Sequence, residues 1–422
     1  MTVKVSIATV SILREGLAQG RGVKYKRLAE ALEKSIGEGL IEPGSKLPPH
    51  RLLADSLGVT IGTISRAYGE LERVGLVVAR VGDGTYVRQR GMERSRDGGF
   101  RNVSDEPQAL FDMSRNQPIP GQEAILLSQG LQALASDPQT LQHIAGYTAD
   151  AGLLRHRAAG AEWLRHKAFT PSADQIVCVN GGQHGLLCVL MGLLKAGDTL
   201  VTEHLTYPGL ISVARMLGIK LIGVGMDDEG LLPEALSDVC QNHRVSALYC
   251  TPTIQNPTAA VMSVPRREAI AEICRQHNLL IIEDEAHAVL AQQRPLPLSH
   301  FAPERSVLIG SLSKAVSAGL RVGYLHAPQP LIGRLSAAVR GTCWMASPLS
   351  MALASEWVEN GIAGQLLGQQ IAEISRRKQL VSAVLEDVGY KTHPNSPKFW
   401  WRKVWSGGSS RLSATLKPPS RA

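Results

Sequence analysis

The stretch Ser306-Val307-Leu308-Ile309-Gly310-Ser311-Leu312-Ser313-Lys314 places a lysine after an apolar run that is typical of a buried strand. Seven residues later comes Arg321, in Gly319-Leu320-Arg321-Val322-Gly323. An amine can form a Schiff base with an aldehyde, and hydroxyls with an arginine can hold a phosphate by charge-assisted hydrogen bonds. Pyridoxal 5'-phosphate (PLP) needs both. Taken alone, the spacing fits equally well a surface lysine and arginine on a loop of small residues.

Seven short apolar runs predict strands, and helical patterns separate most of them. The runs are 176–179, 199–201, 221–224, 247–249, 279–282, 307–309 and 322–325. This alternation predicts an α/β domain with a mainly parallel seven-stranded sheet, over residues 111–330. Ligands of such sheets bind at the carboxyl ends of the strands, so the polar motifs that follow the runs are the candidate site.

Four motifs follow these predicted strands. Asn180-Gly181-Gly182-Gln183 is a glycine turn that opens a helix, which is a seat for a phosphate. Tyr207 follows the second run and can stack on a planar ring. Asn256 lies in a loop braced by prolines, and Asp284 emerges from a buried run where a carboxylate needs a partner such as a protonated pyridine nitrogen. Singly, each also fits an ordinary turn, a buried tyrosine or a structural ion pair.

The N-terminal part has a different pattern. Helical spacing over 24–40 ends at Pro43-Gly44-Ser45, and a second helix opens at Pro48-Pro49-His50-Arg51. Thr60 is a candidate cap for a third helix that runs to about Gly75, and residues 76–87 predict a two-stranded hairpin. Two helices joined by a tight turn and followed by a hairpin predict a winged helix over 20–88. Early polar residues of the third helix, among them Thr63 and Arg66, then face the major groove. An ordinary small helical domain is the alternative.

Composition separates the ends of the chain from its middle. The formal net charge is +8, and the basic excess lies in residues 1–100 and 390–422, which favours a nucleic-acid partner for the N-terminal module. Six scattered cysteines predict buried free thiols in a reducing cytoplasm, without a disulfide framework or a metal site. No apolar run is long enough to predict a transmembrane helix. Residues 89–110 are polar and predict a flexible linker.

The segment EPGSKLPPHRLLADSLGVTIGTISRAYGELERVGLVVARVGDGTYV resembles a GntR-type winged-helix domain. The resemblance covers about 65 residues and rests on P-G-x-x-L-P, on the Leu-Ala-x-x-Leu-Gly-Val helix and on the Gly-x-Gly-Thr wing. It implies contacts with double-stranded promoter DNA. The residues implied are Arg51, Thr60, Thr63, Ser65 and Gly82, with Arg66 beside them. Many members have an arginine where this chain has Ser65, which leaves the preferred DNA sequence open.

From about residue 113 to 399 the chain resembles the fold-type I PLP enzymes of the aminotransferase class, on the motifs that end at Lys314. The resemblance implies that Lys314 forms the internal aldimine, Asp284 pairs with the pyridine nitrogen, Asn256 bonds the ring O3' and Tyr207 stacks on the ring. It assigns the phosphate to Gly182, Gln183, Ser311, Ser313 and Arg321, and it lets Tyr147 reach the phosphate of a partner subunit. Where members usually have a tyrosine after the aspartate, this chain has Ala286 and His287; a histidine in place of that hydroxyl puts efficient transamination in doubt.

The C-terminal part departs from that family. Residues 331–361 and 365–388 are predicted to be helical and to lead into a partial small domain, 331–399. Residues 400–422 form an atypical basic tail rich in Ser, Gly and Pro, typical of a truncated or frame-shifted end. No segment matches the strand that supplies the family's carboxylate-binding arginine.

Together the two resemblances imply a MocR-type regulator of the GntR superfamily, a bacterial cytoplasmic homodimer. In this interpretation PLP or its adduct with an amino compound changes the linkage at Lys314 and thereby promoter binding. An aminotransferase with an incidental N-terminal domain is the main alternative, and residual transaminase activity stays open. A DNA-only repressor that has lost PLP is the third interpretation.

Overall fold

The computed structural model describes residues 7–19, 22–80, 83–88 and 118–387. Packing divides the chain into two units, Met1–Arg96 and Asp97–Ala422, which are called here the head and the body. The predicted linker 89–110, the DNA-contact candidate Gly82 and the tail 400–422 lie outside the described residues. Within the described residues, no helix is long and apolar enough to cross a membrane.

The head has four helices and a hairpin in its described part. These are α1 (Ile7–Gln19), α2 (Lys24–Gly37), α3 (His50–Leu57), α4 (Ile61–Arg73), β1 (Val77–Arg80) and β2 (Gly84–Val87). Gly58 closes α3 in the left-handed conformation at φ 62°, which lets the chain turn at once into α4. The antiparallel register pairs Val77 with Val87. The predicted helix-turn-helix and hairpin are confirmed.

The core of the head follows the predicted spacing with two exceptions. Leu28 and Leu32 of α2 and Ile64 of α4 are buried, as their spacing predicts. The helix predicted over 24–40 is too long at its end: its spacing puts Leu40 on the same face, but α2 ends at Gly37 and the Leu40 side chain is 61% exposed. The helix α1 was not predicted, yet its Leu13 is fully buried in the head core.

The body alternates strands and helices. Its helices are α5 (Glu123–Ala135), α6 (Pro138–Ala145), α7 (Leu154–Leu164), α8 (Gly182–Leu193), α9 (Pro208–Met216), α10 (Pro233–Asn242), α11 (Val264–Gln276), α12 (Leu298–Phe301), α13 (Gln329–Cys343), α14 (Pro348–Glu359) and α15 (Ile362–Asp387). Its strands are β3 (Ile176–Val179), β4 (Thr199–Glu203), β5 (Lys220–Val224), β6 (Met226–Asp227), β7 (Gly230–Leu231), β8 (Ala247–Cys250), β9 (Leu280–Asp284), β10 (Ser306–Ser311) and β11 (Gly323–His326).

All seven predicted strands form one sheet, in the order β3-β11-β10-β9-β8-β4-β5. The strand β11 pairs antiparallel with both of its neighbours, and the other recorded pairs are parallel. The carboxyl ends of six strands therefore meet at one edge, and β11 begins at that same edge. The hairpin β6–β7 was not predicted, since two-residue strands carry no periodic signal.

Helices cover both faces of the sheet. Alternate residues of β3 show this, because Cys178 packs with α14 in one cluster while Val177 and Val179 pack with α8 and α13 in another. A third cluster joins β8 and β9 to α10 and α11. Most strand side chains are buried, which explains why the runs are continuously apolar instead of alternating.

The C-terminal helices correct two predictions. The helix predicted over 331–361 is two helices, because Trp344 adopts φ 71° and residues 344–347 separate α13 from α14. Both helices pack against the sheet, with Val339 and Trp357 buried in its clusters. The expectation of buried thiols is also wrong at Cys343, which is exposed.

Candidate functional site

The segment from Ser311 to Gly323 leaves the sheet edge and returns to it. The backbone N–H of Ser313 donates to Ser311 Oγ at 3.1 Å, and Ser311 Oγ donates to the Val322 carbonyl at 3.2 Å. Arg321 Nη1 donates to Ser313 Oγ at 3.3 Å. Both hydroxyls and the guanidinium predicted to bind phosphate are thus held together by their own short turn.

Glycines give this group room beside the first turn of α8. Gly181 has φ 82°, and a Cβ there would lie 2.6 Å from Arg321 Nη2. A Cβ at Gly323 would meet the Gly181 backbone at 2.8 Å. The N-terminus of α8, which begins at Gly182, is therefore pressed against the serine and arginine turn. Backbone N–H groups at a helix N-terminus lack intrahelical partners and favour an anion.

Lys314 lies half-buried between opposite charges. Burial lowers the pKa of its amine from the usual 10.5, and the positive charge of Arg321 lowers it further, whereas Asp284 opposes the shift. A lowered pKa increases the fraction of neutral amine, which is the nucleophilic form. The position and protonation of Lys314 suit the bond to an aldehyde that the sequence predicts.

Asp284 ends β9 next to β10, where it pairs in register with Ile309. Tyr249 Oη donates to its Oδ2 at 2.8 Å, and the Ala286 N–H donates to its Oδ1 at 3.0 Å. Burial raises the pKa of Asp284, while the bonds from Ala286 and Tyr249 oppose that shift. A carboxylate held in this way is oriented to receive a third donor, such as a protonated ring nitrogen.

Tyr207 and Gln183 form a further wall of the site. Burial raises the pKa of the Tyr207 hydroxyl, and the charges of Asp284 and Arg321 also act on it, so the ring lies near both. Gln183 Nε2 donates to the Gly209 carbonyl at 3.4 Å. A Cβ at Gly209 would collide with the Tyr207 ring at 2.4 Å and with Gln183 Oε1 at 2.4 Å. Gly209 therefore permits this arrangement, which the sequence did not reveal.

Three predicted residues have a place in the fold but no contact described above that ties them to Lys314. Asn256 is half-buried in the loop after β8, the strand next to β9. His287 is 7% exposed and lies three residues after Asp284. Tyr147 is 83% exposed, and its ring lies 5.7 Å from that of Trp344. Their cofactor roles remain predictions.

A buried ion network, not predicted from the sequence, lies behind Asp284. Arg267 is fully buried, and its Nη1 lies 3.7 Å from Glu283 and 4.0 Å from Glu285. Its Nη2 donates to Thr253 Oγ1 at 2.9 Å, and Thr253 Oγ1 donates to Glu285 Oε1 at 2.6 Å. Because Glu283 and Glu285 flank Asp284, and Thr253 leads into the Asn256 loop, this network braces two predicted cofactor residues.

Glu203 is a further buried carboxyl at the same sheet edge. It ends β4 and is fully buried, and its Oε1 accepts the Thr251 N–H at 2.9 Å. Burial raises the pKa of Glu203 to about 8, and the Asp284 charge adds to the rise. This carboxyl is therefore largely protonated at neutral pH.

The exposed face of α4 carries the predicted DNA contacts. Thr60 caps the helix, and its Oγ1 accepts the Thr63 N–H at 3.3 Å. Ser65 Oγ lies 3.0 Å from His50 Nδ1, a bond that ties α4 to the start of α3. Arg51 and Arg66 are exposed. Thr60 and Ser65 thus have structural roles, while the two arginines present charge to solvent.

The hairpin has an ordered base that the sequence did not reveal. Lys46 Nζ donates to Asp83 Oδ1 at 3.0 Å, and Tyr86 Oη donates to the same carboxylate at 3.0 Å. The hydrogen bond to Asp83 raises the pKa of Lys46. Alternating side chains of β2 are buried, with Thr85 and Val87 inward. The wing therefore has a fixed base.

The body has the donors that a phosphorylated aldehyde requires. The turn at Gly181, where a Cβ would fill the space beside Arg321, is a cradle for a phosphate. Together with Lys314 and Asp284, these residues fit PLP.

Comparisons with known proteins agree with this arrangement. Residues 110–404 match the family model for aminotransferase class I and II, and residues 24–87 match that for bacterial regulatory proteins of the gntR family. The chain is similar to the uncharacterized HTH-type transcriptional regulator YdeF of Bacillus subtilis, with 32% identity over 85% of this chain and 76% of that protein.

It is also similar to the HTH-type pyridoxine biosynthesis transcriptional regulator PdxR of Corynebacterium glutamicum, with 29% identity over 75% of this chain and 68% of that protein. Among solved structures, an archaeal alanine:glyoxylate aminotransferase has the same fold, with a TM-score of 0.61 and 24% identity over 67% of this chain and 72% of that one. The predicted fold class, a winged helix joined to a fold-type I aminotransferase-like domain, is confirmed.

Proposed function

Since the chain belongs to the aminotransferase class I and II family and joins that domain to a gntR-family head, as MocR-type regulators do, we propose that it regulates transcription by PLP-responsive DNA binding. PLP is the cofactor of this family. The observation that carries the proposal is the grouping of Lys314, Asp284 and Arg321 at one sheet edge in a chain that also has a DNA-binding fold. Similarity to PdxR supports it.

The residues of the site have separable tasks. When bound, PLP supplies an aldehyde that condenses with amines and so links the site to amino compounds. Lys314, with its lowered pKa, offers the amine. Asp284, held by Tyr249, offers a carboxylate to the ring nitrogen. The α8 N-terminus and Arg321 offer donors to the phosphate.

The remaining parts of the proposal concern assembly and place. We assign residues 20–88 to DNA binding, 89–110 to a linker, 111–330 to the PLP-binding domain and 331–399 to a partial small domain. A homodimer presents two heads to paired half-sites, and the exposed Tyr147 is available to reach the partner's phosphate site. An amino compound is the effector. The bacterial cytoplasm, which holds promoter DNA and PLP, is the location.

A direct test compares the protein with its Lys314→Ala variant. The protein with added PLP is expected to show a visible absorption band and a mass gain after borohydride reduction, and the variant is expected to lose both. Binding of the promoter upstream of its own gene is expected to weaken with salt and to change when PLP is added. Lys195→Ala, an exposed lysine outside the site, is the matched control.

Three outcomes contradict the proposal. A protein that stays colourless and gains no mass has no bound PLP. Promoter affinity that is the same with and without PLP removes the sensing role. Turnover of an amino acid with a keto acid, without DNA binding, favours the aminotransferase alternative.

A further inference from the structure

The body contains a cavity that none of the predicted cofactor residues lines. Its volume is about 680 Å³, and it lies between the end of α7, the segment after β9 and the start of α15. Sites for small molecules usually measure roughly 300–1,000 Å³. The cavity therefore has room for a metabolite-sized ligand.

Basic side chains dominate the charged part of the lining. Arg165, Lys167 and Arg294 line the cavity together with one carboxylate, Glu162. Arg165 Nε donates to Glu162 at 2.8 Å, so this pair is neutral as a unit. Arg294 is paired with Glu285, whereas Lys167 has no ion-pair partner among the described residues. Lys167 therefore adds to the lining a positive charge that an anion would balance.

Arg294 is the buried cation of the lining. Its side chain is 8% exposed, and its Nη2 lies 3.3 Å from Glu285 Oε2. Its Nε is buried without a partner in the described part of the chain. Its carbonyl accepts bonds from Lys167 Nζ at 3.0 Å and His166 Nε2 at 2.8 Å, and these bonds gather the three residues at one wall. A guanidinium with an unused donor in such a wall fits a carboxylate.

Part of the remaining lining is apolar. Trp163, Val289, Val358 and Leu367 contribute apolar surface. The indole Nε1 of Trp163 is a further buried donor without a partner among the described residues. A lining that joins cationic and apolar side chains favours a ligand with one anionic group and an apolar body over a bare inorganic ion.

We propose that this cavity is a second ligand site, which binds a small organic carboxylate with an apolar or aromatic body. Lys167 and Arg294 receive the carboxylate, and Trp163 and Leu367 contact the apolar body. The site is independent of the bond to Lys314, so the inference stands or falls apart from the proposed function. It requires only that small side-chain shifts bring the buried donors to the ligand.

Benzoate is a suitable probe, with benzamide as its uncharged match. The full chain is saturated with PLP, freed of excess by desalting, and titrated by calorimetry with each compound. We expect saturable binding of benzoate to one site per chain and binding of benzamide that is weaker by about tenfold or more, as the loss of a charge-assisted contact implies. The absorption band of PLP, recorded in parallel, shows whether benzoate enters the cofactor site.

Substitutions locate the site. Lys167→Gln and Arg294→Gln are each expected to weaken benzoate binding by about tenfold. Arg334→Gln, an exposed arginine outside the lining, is expected to leave it unchanged. Arg294→Gln also removes a partner of Glu285, so the folding of this variant is checked by circular dichroism. If it unfolds, Lys167→Gln decides the test, because the Lys167 ammonium bonds only a backbone carbonyl among the described residues.

Three results overturn the inference. If benzoate and benzamide bind with equal affinity, the charge of the carboxylate does not contribute to binding. Unchanged affinity in Lys167→Gln places the anion elsewhere. Displacement of PLP by benzoate assigns the binding to the cofactor site.

Discussion

The body buries a network of charged side chains, whereas the ion pairs described in the head lie at its surface. In the head, the ion pairs Lys46–Asp83 and Arg73–Glu70 lie at the surface, and Arg51 and Arg66 face solvent. In the body, Arg267 is fully buried between two glutamates behind the cofactor edge. Surface charge is available to a partner that comes and goes, such as DNA. Buried charge is unavailable to partners and instead fixes the position of its neighbours.

The largest expected effect comes from removing the buried cation of the body. Arg267→Met leaves Glu283 and Glu285 buried without their shared cation, and it should destabilise the body by about 3–5 kcal/mol. All six tryptophans lie after residue 160, so their fluorescence during urea unfolding reports on the body alone. The matched variant Arg73→Met removes an exposed ion pair. The unfolding transition of its head, followed by circular dichroism, should coincide with that of the unsubstituted protein. Equal losses in both variants would mean that burial is not the deciding difference.

The next effect concerns the pH dependence of the body. Burial raises the pKa of Glu203 to about 8 from a usual 4.5, so over that interval the folded protein binds a proton that the unfolded chain has lost. The contribution of Glu203 to stability is therefore full below about pH 4.5 and falls as the pH rises to 8.

Replacing Glu203 by Gln removes this titration. Stability of the variant relative to the unsubstituted protein should rise between pH 5 and pH 8 by a few kcal/mol, since one pKa unit corresponds to about 1.4 kcal/mol. Urea midpoints measured in PLP-free protein at both pH values test it. A relative stability that does not change with pH would show that Glu203 titrates normally. Glu234→Gln, an exposed carboxylate, is the control.

A smaller effect is expected from removing an exposed arginine of the head. Arg66→Ala should weaken promoter binding by about tenfold and reduce the dependence on salt by about one counterion, if this exposed arginine meets a phosphate. Electrophoretic or fluorescence titrations at several salt concentrations measure both. Tryptophan-monitored stability should stay the same, because the substitution is in the head. An unchanged salt slope contradicts the phosphate contact, and Arg14→Ala, whose guanidinium donates to the Ser56 carbonyl, is the comparison variant.

The smallest effect is a local one. Thr60→Ala removes the cap of α4 and should lower the stability of the head by about 1 kcal/mol. Thr60→Ser keeps the capping oxygen and should retain most of the stability that the cap provides. Head unfolding followed by circular dichroism distinguishes the two. If alanine and serine have the same stability, then the 3.3 Å bond from the Thr63 N–H contributes nothing measurable.

The sequence predicted what depends on pattern. The apolar runs located all seven strands, and the parallel sheet then placed Lys314, Asp284 and the Gly181 turn at one edge. In the head, the helical spacing of Ile64, Tyr68 and Leu71 predicts one buried face of the third helix, and all three are buried. These successes have one cause, since burial of an amphipathic or apolar segment is recorded in its own residues.

What the sequence did not predict depends on pairs of distant residues. The sequence places Tyr249 in a predicted strand. No neighbouring residue indicates that its hydroxyl contacts Asp284, which lies 35 residues later in the chain. The acidic partners of Arg267 are Glu283, near the carboxyl end of β9, and Glu285, just after that strand. Cys343 is exposed at the end of α13, next to Trp344. The helix α1 was also not predicted, although Val10, Leu13 and Leu17 share the face that packs on the head core. Long-range pairing leaves no periodic trace in a single chain.

The reversed direction of β11 has a consequence for how this domain can be altered. Residues 311–323 leave the sheet and return to the same edge, so amine and phosphate donors belong to one uninterrupted excursion of the chain. Transplanting that short loop between related scaffolds would carry much of the anchoring chemistry with it. Conversely, an added residue inside the loop would shift Arg321 relative to Lys314, whereas insertions in the surface connections elsewhere leave that spacing untouched.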